Sequence, residues 1–417
     1  MVMWVFCMKY HGAVDIPKHR HVAIQTKMNA LWSSLELMDK DRNSPIMFSL
    51  VNLTFGKSSM LKDPIDWNMF EWDIILTYPK FNFKEPLFLS DQDKELFHQN
   101  PDNKQTLASS YDPELLHGTI RVIFGSIAHN GLACGWSSDL MDFVDRSEVH
   151  DAKDDGERYY TADNIVPILT QDSHIFQHFL DGALPKIIQV LPFLRLPNVK
   201  LALQEPRDQI IKDIIVMLNL LERVIWVKGN AAVTSRFQIN SCISPPIHPL
   251  LWTSMRELLD VNDHLPYSLS SCKVILLNHA QTHNGGRNIK NQQEVIKYLM
   301  SRYGKQFTLF IPQNTLSKTK EFFSKARIIL GVHGGALYNI NFAPKASHVI
   351  ELMPTSETGG VTKRLAHTII WKMSSVRGQH YWRLALPPLD DIDNVYLPLS
   401  KLKEVLDKVD HSQLHAH

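Results

Sequence analysis

At 417 residues, with 44% apolar and 9% aromatic side chains, the chain is too long for one ordinary core and apolar enough to build about two domains. Forty-four basic side chains nearly balance forty-three acidic ones, for a formal net charge of +1, which excludes the electrostatic footprint of a nucleic-acid or anionic-membrane binder. No stretch approaches the roughly 20 apolar residues of a membrane-spanning helix, and the scattered cysteines Cys7, Cys134, Cys242 and Cys272 form no C-x-x-C pair, which argues against a zinc ribbon or a thioredoxin-like site.

In chain order, the opening "MVMWVFCMKYHG" has no basic n-region and no small-residue cleavage site, so it does not read as a signal peptide; the chain is cytosolic or its leader is missing. The first 110 or so residues give mixed signals and no topology. Within them Asp91-Gln-Asp93 has the look of a metal-binding D-x-D, but Ser90 before it makes an N-cap with acids in the first helical turn the better reading. "DSHIFQHFLDGALPKIIQVLPFL" predicts a long apolar helix, followed by strand "NVKLALQ", helix "RDQIIKDIIVMLNLLE" and strand "RVIWVKG". "NSCISPPIHPLLW", with Pro245 and Pro246, predicts a loop at a domain edge. From Ser271 onward "CKVILLNHA", "QFTLFIP", "RIILGV" and "SHVIELMP" predict strands alternating with helices, hence right-handed crossovers and a parallel sheet. The pattern divides the chain into residues 1–264, an α/β domain with an unassigned leading segment that the resemblance described below would make the acceptor side, and 265–417, a Rossmann-like domain whose C-terminal tail packs back on the first.

Three stretches carry candidate chemistry. In "GVHGGALYNINFA" a glycine-rich turn follows a strand, so His333 and the N–H groups of Gly334 and Gly335 suit a diphosphate; a plain tight βα turn fits the same residues. In "NHAQTHNGGRNIKN", after the first strand of the same predicted sheet, Arg287 offers a guanidinium fork to phosphate, and a solvated surface arginine is the alternative. Glu351, inside an apolar strand, needs a partner; a ribose or a salt bridge would serve. In the helix, His174, His178 and Asp181 share one face, which could be catalytic, could bind metal or could be hydrogen-bonded core; Ile175 replaces the glutamate of H-E-x-x-H, so a zinc protease loses its chemistry.

Together these stretches resemble glycosyltransferase family 61, which includes EGF-domain-specific and O-mannose-linked N-acetylglucosaminyltransferases and plant xylosyl- and arabinosyltransferases. The resemblance covers roughly residues 165 to 355. It rests on His333, Gly334, Leu337, Phe342, Pro344, Val349, Glu351 and Leu352 in the family's H-G-A-x-L, F-x-P and V-x-E-L frame, with Gly335 in place of alanine. It rests also on Arg287, Ile289 and Asn291 in R-x-I-x-N, and on His178-Phe179-Leu180-Asp181 with Leu184-Pro185. Asn278-His279 departs from the family's serine-arginine pair, leaving His279 as a substitute donor ligand.

The resemblance implies an α/β, GT-B-like fold of two Rossmann-like domains facing a cleft. It implies inverting transfer from a nucleotide sugar, a UDP-GlcNAc or UDP-xylose/arabinose donor, to a hydroxyl of a protein or glycan acceptor in the lumen of the secretory pathway. Asp181 or His178 would be the base; Arg287, His333, Gly334, Gly335, Glu351 and His279 would hold the donor. No metal and no cofactor beyond the donor are expected. The alternatives are a non-catalytic nucleotide-sugar or glycan-binding protein of the same fold and, third, a metal-dependent hydrolase using His174, His178 and Asp181.

Overall fold

The computed structural model describes residues 52–57, 70–99, 103–104, 107, 116–124, 127–128, 159–170, 173–228, 232–245, 247–264, 271–277, 287–355 and 368–414. Every described residue lies in one compact unit, Met47–His417.

The first sheet is built from β1 (Asn52–Lys57), β2 (Phe70–Thr77), β3 (His117–Phe124), β4 (Ile127–Ala128), β5 (Tyr159–Ile168), β6 (Val199–Gln204), β7 (Val224–Val227) and β8 (Ala232–Ile243). Its order is β1-β2-β3-β8-β5-β6-β7, with β4 beside β8. Strands β1, β2, β3 and β8 pair antiparallel, whereas β8, β5, β6 and β7 pair parallel. The helices in chain order are α1 (Asp91–Gln99), α2 (Leu184–Leu194), α3 (Gln209–Met217), α4 (Pro249–Leu258), α5 (Gln292–Tyr303), α6 (Leu316–Phe323), α7 (Ile369–Val376) and α8 (Leu399–Leu414). Helix α2 is buried at every position, as expected of a helix apolar on all sides. Its two polar residues are satisfied internally: Lys186 Nζ donates to the Cys242 carbonyl, and Gln189 accepts from the Tyr78 hydroxyl and donates to Ser241 and Ile243.

The second sheet holds β9 (Lys273–Leu276), β10 (Phe307–Leu309), β11 (Ala326–Val332), β12 (His348–Pro354) and β13 (His380–Leu386) in the order β10-β9-β11-β12-β13, parallel throughout. Counted from its own first strand this is 2-1-3-4-5, the doubly wound arrangement whose strand order reverses between β9 and β11. Both β11 and β12 are buried at all seven positions, because helices cover both faces of a parallel sheet. Two parallel-rich sheets with covering helices make the architecture GT-B-like.

Three expectations change. The tail packs mainly on the second sheet: Leu402, Val405, Leu406 and Val409 of α8, spaced for one helix face, join Val274, Leu276 and Val295 in its core, while Lys408 Nζ donates to the carbonyl of Leu89 from the leading part of the chain. Arg302 of α5 holds α8 through Asp407 and Asp410. The leading part of the chain also crosses over. Leu87 bridges Trp382, exchanging backbone hydrogen bonds with Tyr381 and Arg383, and Phe97 packs edge-on against Trp371 at 5.2 Å. Finally, Asn240–Ile243 completes β8, and Pro249 opens α4, capped by His248 Nδ1 accepting from the Leu250 N–H at 3.1 Å. Pro249 at the first helical position costs nothing, since its missing N–H has no intrahelical partner there.

Cys242 is disulfide-bonded and Cys272 is a buried free thiol. No helix among the described residues is long and apolar enough to cross a membrane.

Candidate active site

Strand β11 ends at Val332, and the chain turns through His333 and Gly334 into a 3-10 helix, Gly335–Phe342. Gly334 takes φ 158° and ψ 178°, a conformation that a Cβ disfavours. At Gly335 the Gln177 side chain lies close in: a Cβ there would sit 2.1 Å from its amide oxygen, so any larger residue would push that side chain aside. The glycine turn is therefore the place where a residue of the first half reaches the second.

His333 is held rigidly. Its backbone N–H donates to the Leu352 carbonyl, and its Nδ1 lies 2.5 Å from Glu351 Oε1. The other oxygen of Glu351 accepts from the Tyr381 hydroxyl. Glu351 is fully buried, so its charge is offset locally by a histidine and a phenol. Of the two partners expected for Glu351, a ribose or a salt bridge, the folded chain itself supplies the second: one carboxylate oxygen faces the His333 imidazole and the other the Tyr381 hydroxyl. With Nδ1 directed at Glu351, the remaining nitrogen, Nε2, is the one free to meet a ligand.

The "HFLD" stretch is not a plain α-helix. A turn at Phe176–His178 leads into a π turn, Phe179–Ala183, and only then into α2. Pro185 explains the wide turn. It has no N–H to donate to the carbonyl of Asp181, and its ring would clash there in an α-helix; the Leu184 N–H correspondingly donates to Phe179, five residues back. Single π turns recur at functional sites, and this one places Asp181 beside Tyr338, whose hydroxyl donates to Oδ2. The second oxygen, Oδ1, is buried without a hydrogen-bond partner. Burial pushes the Asp181 carboxyl up to about 7, against the Tyr338 hydroxyl and its own backbone N–H, which pull it down. Burial and then the Asp181 charge hold the Tyr338 phenol well above its ordinary range.

The structure thus brings Asp181, His178, His333, Gly334, Gly335 and Glu351 to one junction between the two halves. Phe176 stacks on Phe342 at 6.2 Å, and the Gln177 amide spans from Gly335 to His178, with 3.0 Å between Gln177 Nε2 and His178 Nε2. His174 lies in the turn before the helix, with Nδ1 3.2 Å from Gln204 Oε1. The three-residue face of His174, His178 and Asp181 is therefore not formed, and among the described residues no cluster of His, Cys, Asp or Glu is arranged to hold a metal ion. Ser90 accepts from the Asp93 N–H at 3.2 Å, capping α1 as expected.

Arg287 sits on the route from β9 to α5, on the carboxyl side of the second sheet. Its φ of 57° is left-handed, a strained setting for a non-glycine residue, and its N–H donates to Ile392. Among the described residues its side chain takes no part in the hydrogen bonds that hold His333 and Asp181, which are made by Glu351 and Tyr338. His279 lies outside the described residues. Tyr338, Tyr381 and Gln177 escaped the sequence reading. The two tyrosines lie in apolar stretches where a phenol reads as core, and Gln177 stands between more conspicuous histidines.

A doubly wound sheet with a polar glycine turn at its strand ends, beside a buried carboxylate from a second α/β half, is the kind of crevice where α/β folds bind ligands. Residues 176–350 match the family model described as Glycosyltransferase 61, which supports membership of that glycosyltransferase family over this part of the chain. No curated protein gives a significant match to the sequence.

Proposed function

We propose that the protein is an inverting glycosyltransferase that moves a sugar from a UDP-sugar, with UDP-GlcNAc and UDP-xylose or arabinose the first candidates, to a hydroxyl of a protein or glycan. The observation that carries this reading is Asp181. It is a buried carboxylate with one unused oxygen, pushed up to about 7, a few side chains from a glycine turn at the carboxyl edge of a parallel sheet. A base works best when its basicity lies near the working pH.

In the proposed reaction the acceptor hydroxyl gives its proton to Asp181 Oδ1 while its oxygen bonds to the anomeric carbon. The bond from that carbon to the diphosphate breaks on the opposite face, and UDP departs with the electron pair, so the anomeric configuration inverts. The imidazole of His333, held by Glu351, together with the N–H groups at Gly334 and Gly335 and the Arg287 guanidinium, receives the departing charge. His178 is the reserve base, and His279 a further donor contact. No divalent metal takes part, so a chelator should leave turnover intact. The Cys242 disulfide favours an oxidising compartment such as the secretory lumen.

The test is calorimetric titration of UDP. His333→Ala and Arg287→Ala should each weaken binding by roughly 1.5–3 kcal/mol, the scale of a hydrogen bond to a charged group. Unchanged affinity in both variants would remove the donor from this edge.

A further inference from the structure

A cavity of about 180 Å³ lies away from the candidate active site, between α4, the linker that follows it, the turn after the 3-10 helix, and the end of α7; Trp252, Arg256, Asp263, Lys345, Val376 and Arg377 line it. Arg377 is 1% exposed. Its Nη2 donates to the Ala343 carbonyl at 3.0 Å, while Nε and Nη1 have no partner. Arg256, also buried, donates through Nη1 to the carbonyls of Asn341 and Ala343 and through Nη2 to Asn262, and pairs with Asp263; its Nε is unpartnered. Burial pushes the Arg256 guanidinium down to about 9.

The carbonyl contacts explain part of this arrangement, since cations suit the C-terminal end of a helix. They use only Nη atoms and leave three buried guanidinium nitrogens, Arg377 Nε and Nη1 and Arg256 Nε, idle. The charges do not close either. Asp263 is shared between Arg256 and Lys345, whose Nζ is 2.9 Å from it. The lining residue Asp260 is 93% exposed at its side chain and faces Lys320, and Glu257 is exposed. Arg377 is left with no carboxylate partner among the described residues, and a buried charge is stable only when compensated.

We propose that this cavity is an anion site for a small oxyanion, phosphate, sulfate or a carboxylate, gripped by the forks of Arg377 and Arg256. The anion ties the linker between the two sheets to the far end of the 3-10 helix whose first residues form the glycine turn. Binding to the folded state alone stabilises it by mass action.

The full-length chain should be melted in phosphate, sulfate, acetate or chloride at matched ionic strength. At ten times the dissociation constant, phosphate or sulfate should raise Tm by about 2 °C over chloride; a rise confined to acetate would assign a carboxylate to the same site. The rise should persist in His333→Ala, which separates this site from the proposed donor site, and vanish in Arg377→Met. If Arg377→Met does not fold, Arg377→Lys, which keeps the charge but loses the fork, should bind at least fivefold more weakly by calorimetry. No anion-specific rise in the unmodified chain, or an equal rise in the Arg377 variant, overturns the proposal.

Discussion

The π turn around Asp181 and the strand around Glu351 each bury a carboxylate against a tyrosine, yet they leave those carboxylates in different states. Glu351 has both oxygens engaged, one by His333 and one by Tyr381. Asp181 has one oxygen on Tyr338 and the other unpartnered. A carboxylate with both oxygens engaged by its own fold can orient a neighbour, whereas one with an unpartnered oxygen can take a proton. The first sits on a fully buried strand and the second on a backbone distorted by Pro185. In the proposed mechanism, rigidity and backbone distortion then fall where positioning and chemistry respectively need them.

The largest test of that difference is Asp181→Asn, which keeps shape and removes the proton acceptor. Transfer should fall by roughly 10²–10⁴ with UDP affinity nearly unchanged. Should Asp181→Asn stay active while His178→Ala is dead, the base is His178 and the comparison was drawn with the wrong residue.

Glu351→Gln should behave otherwise. It removes the charge that faces Nδ1 of His333, so donor affinity should weaken about 5–30-fold, the scale of one charged hydrogen bond, with a smaller loss in the chemical step. A loss of rate as large as that of Asp181→Asn, with donor affinity intact, would make Glu351 a participant in proton transfer.

Stability should separate the two residues by sign. Asp181 ionises at about 7 in the folded chain and at an ordinary carboxylate value when unfolded. Its contribution is therefore complete below about pH 4 and is lost as pH rises through about 7. At pH 8, Asp181→Asn should raise Tm by a few degrees, while Glu351→Gln, which leaves His333 and Tyr381 with a poorer acceptor, should lower it. Melting curves at pH 5 and pH 8 check both directions; equal shifts of one sign in both variants would erase the distinction.

Much of the second sheet could be read from the sequence because β11 and β12 are unbroken apolar runs between helices. Strand β13 escaped because Arg383 interrupts "HYWRLAL"; that arginine is buried over the Phe97 ring, 5.2 Å from its centroid, and Phe97 arrives from nearly three hundred residues earlier in the chain. The antiparallel strands β1 to β3 gave no topology because their pairing runs to β8, across long sequence separations that local periodicity does not encode. At the site, His333, Asp181 and the glycines were legible as residue types. The roles of Tyr338 and Glu351 were not, since Glu351 looks the same in sequence whether its partner is a ribose or an imidazole.

The most direct measurement is the pH dependence of kcat/KM for transfer between pH 5 and 9, in the unmodified chain and in Tyr338→Phe. The account predicts a rate that rises about tenfold per pH unit at low pH and levels near pH 7. In Tyr338→Phe that limb should move to higher pH, because the hydroxyl that pulls the Asp181 carboxyl down is gone. A profile that is flat from pH 5 upward, or a limb near 7 that Tyr338→Phe leaves in place, would contradict Asp181 as the base.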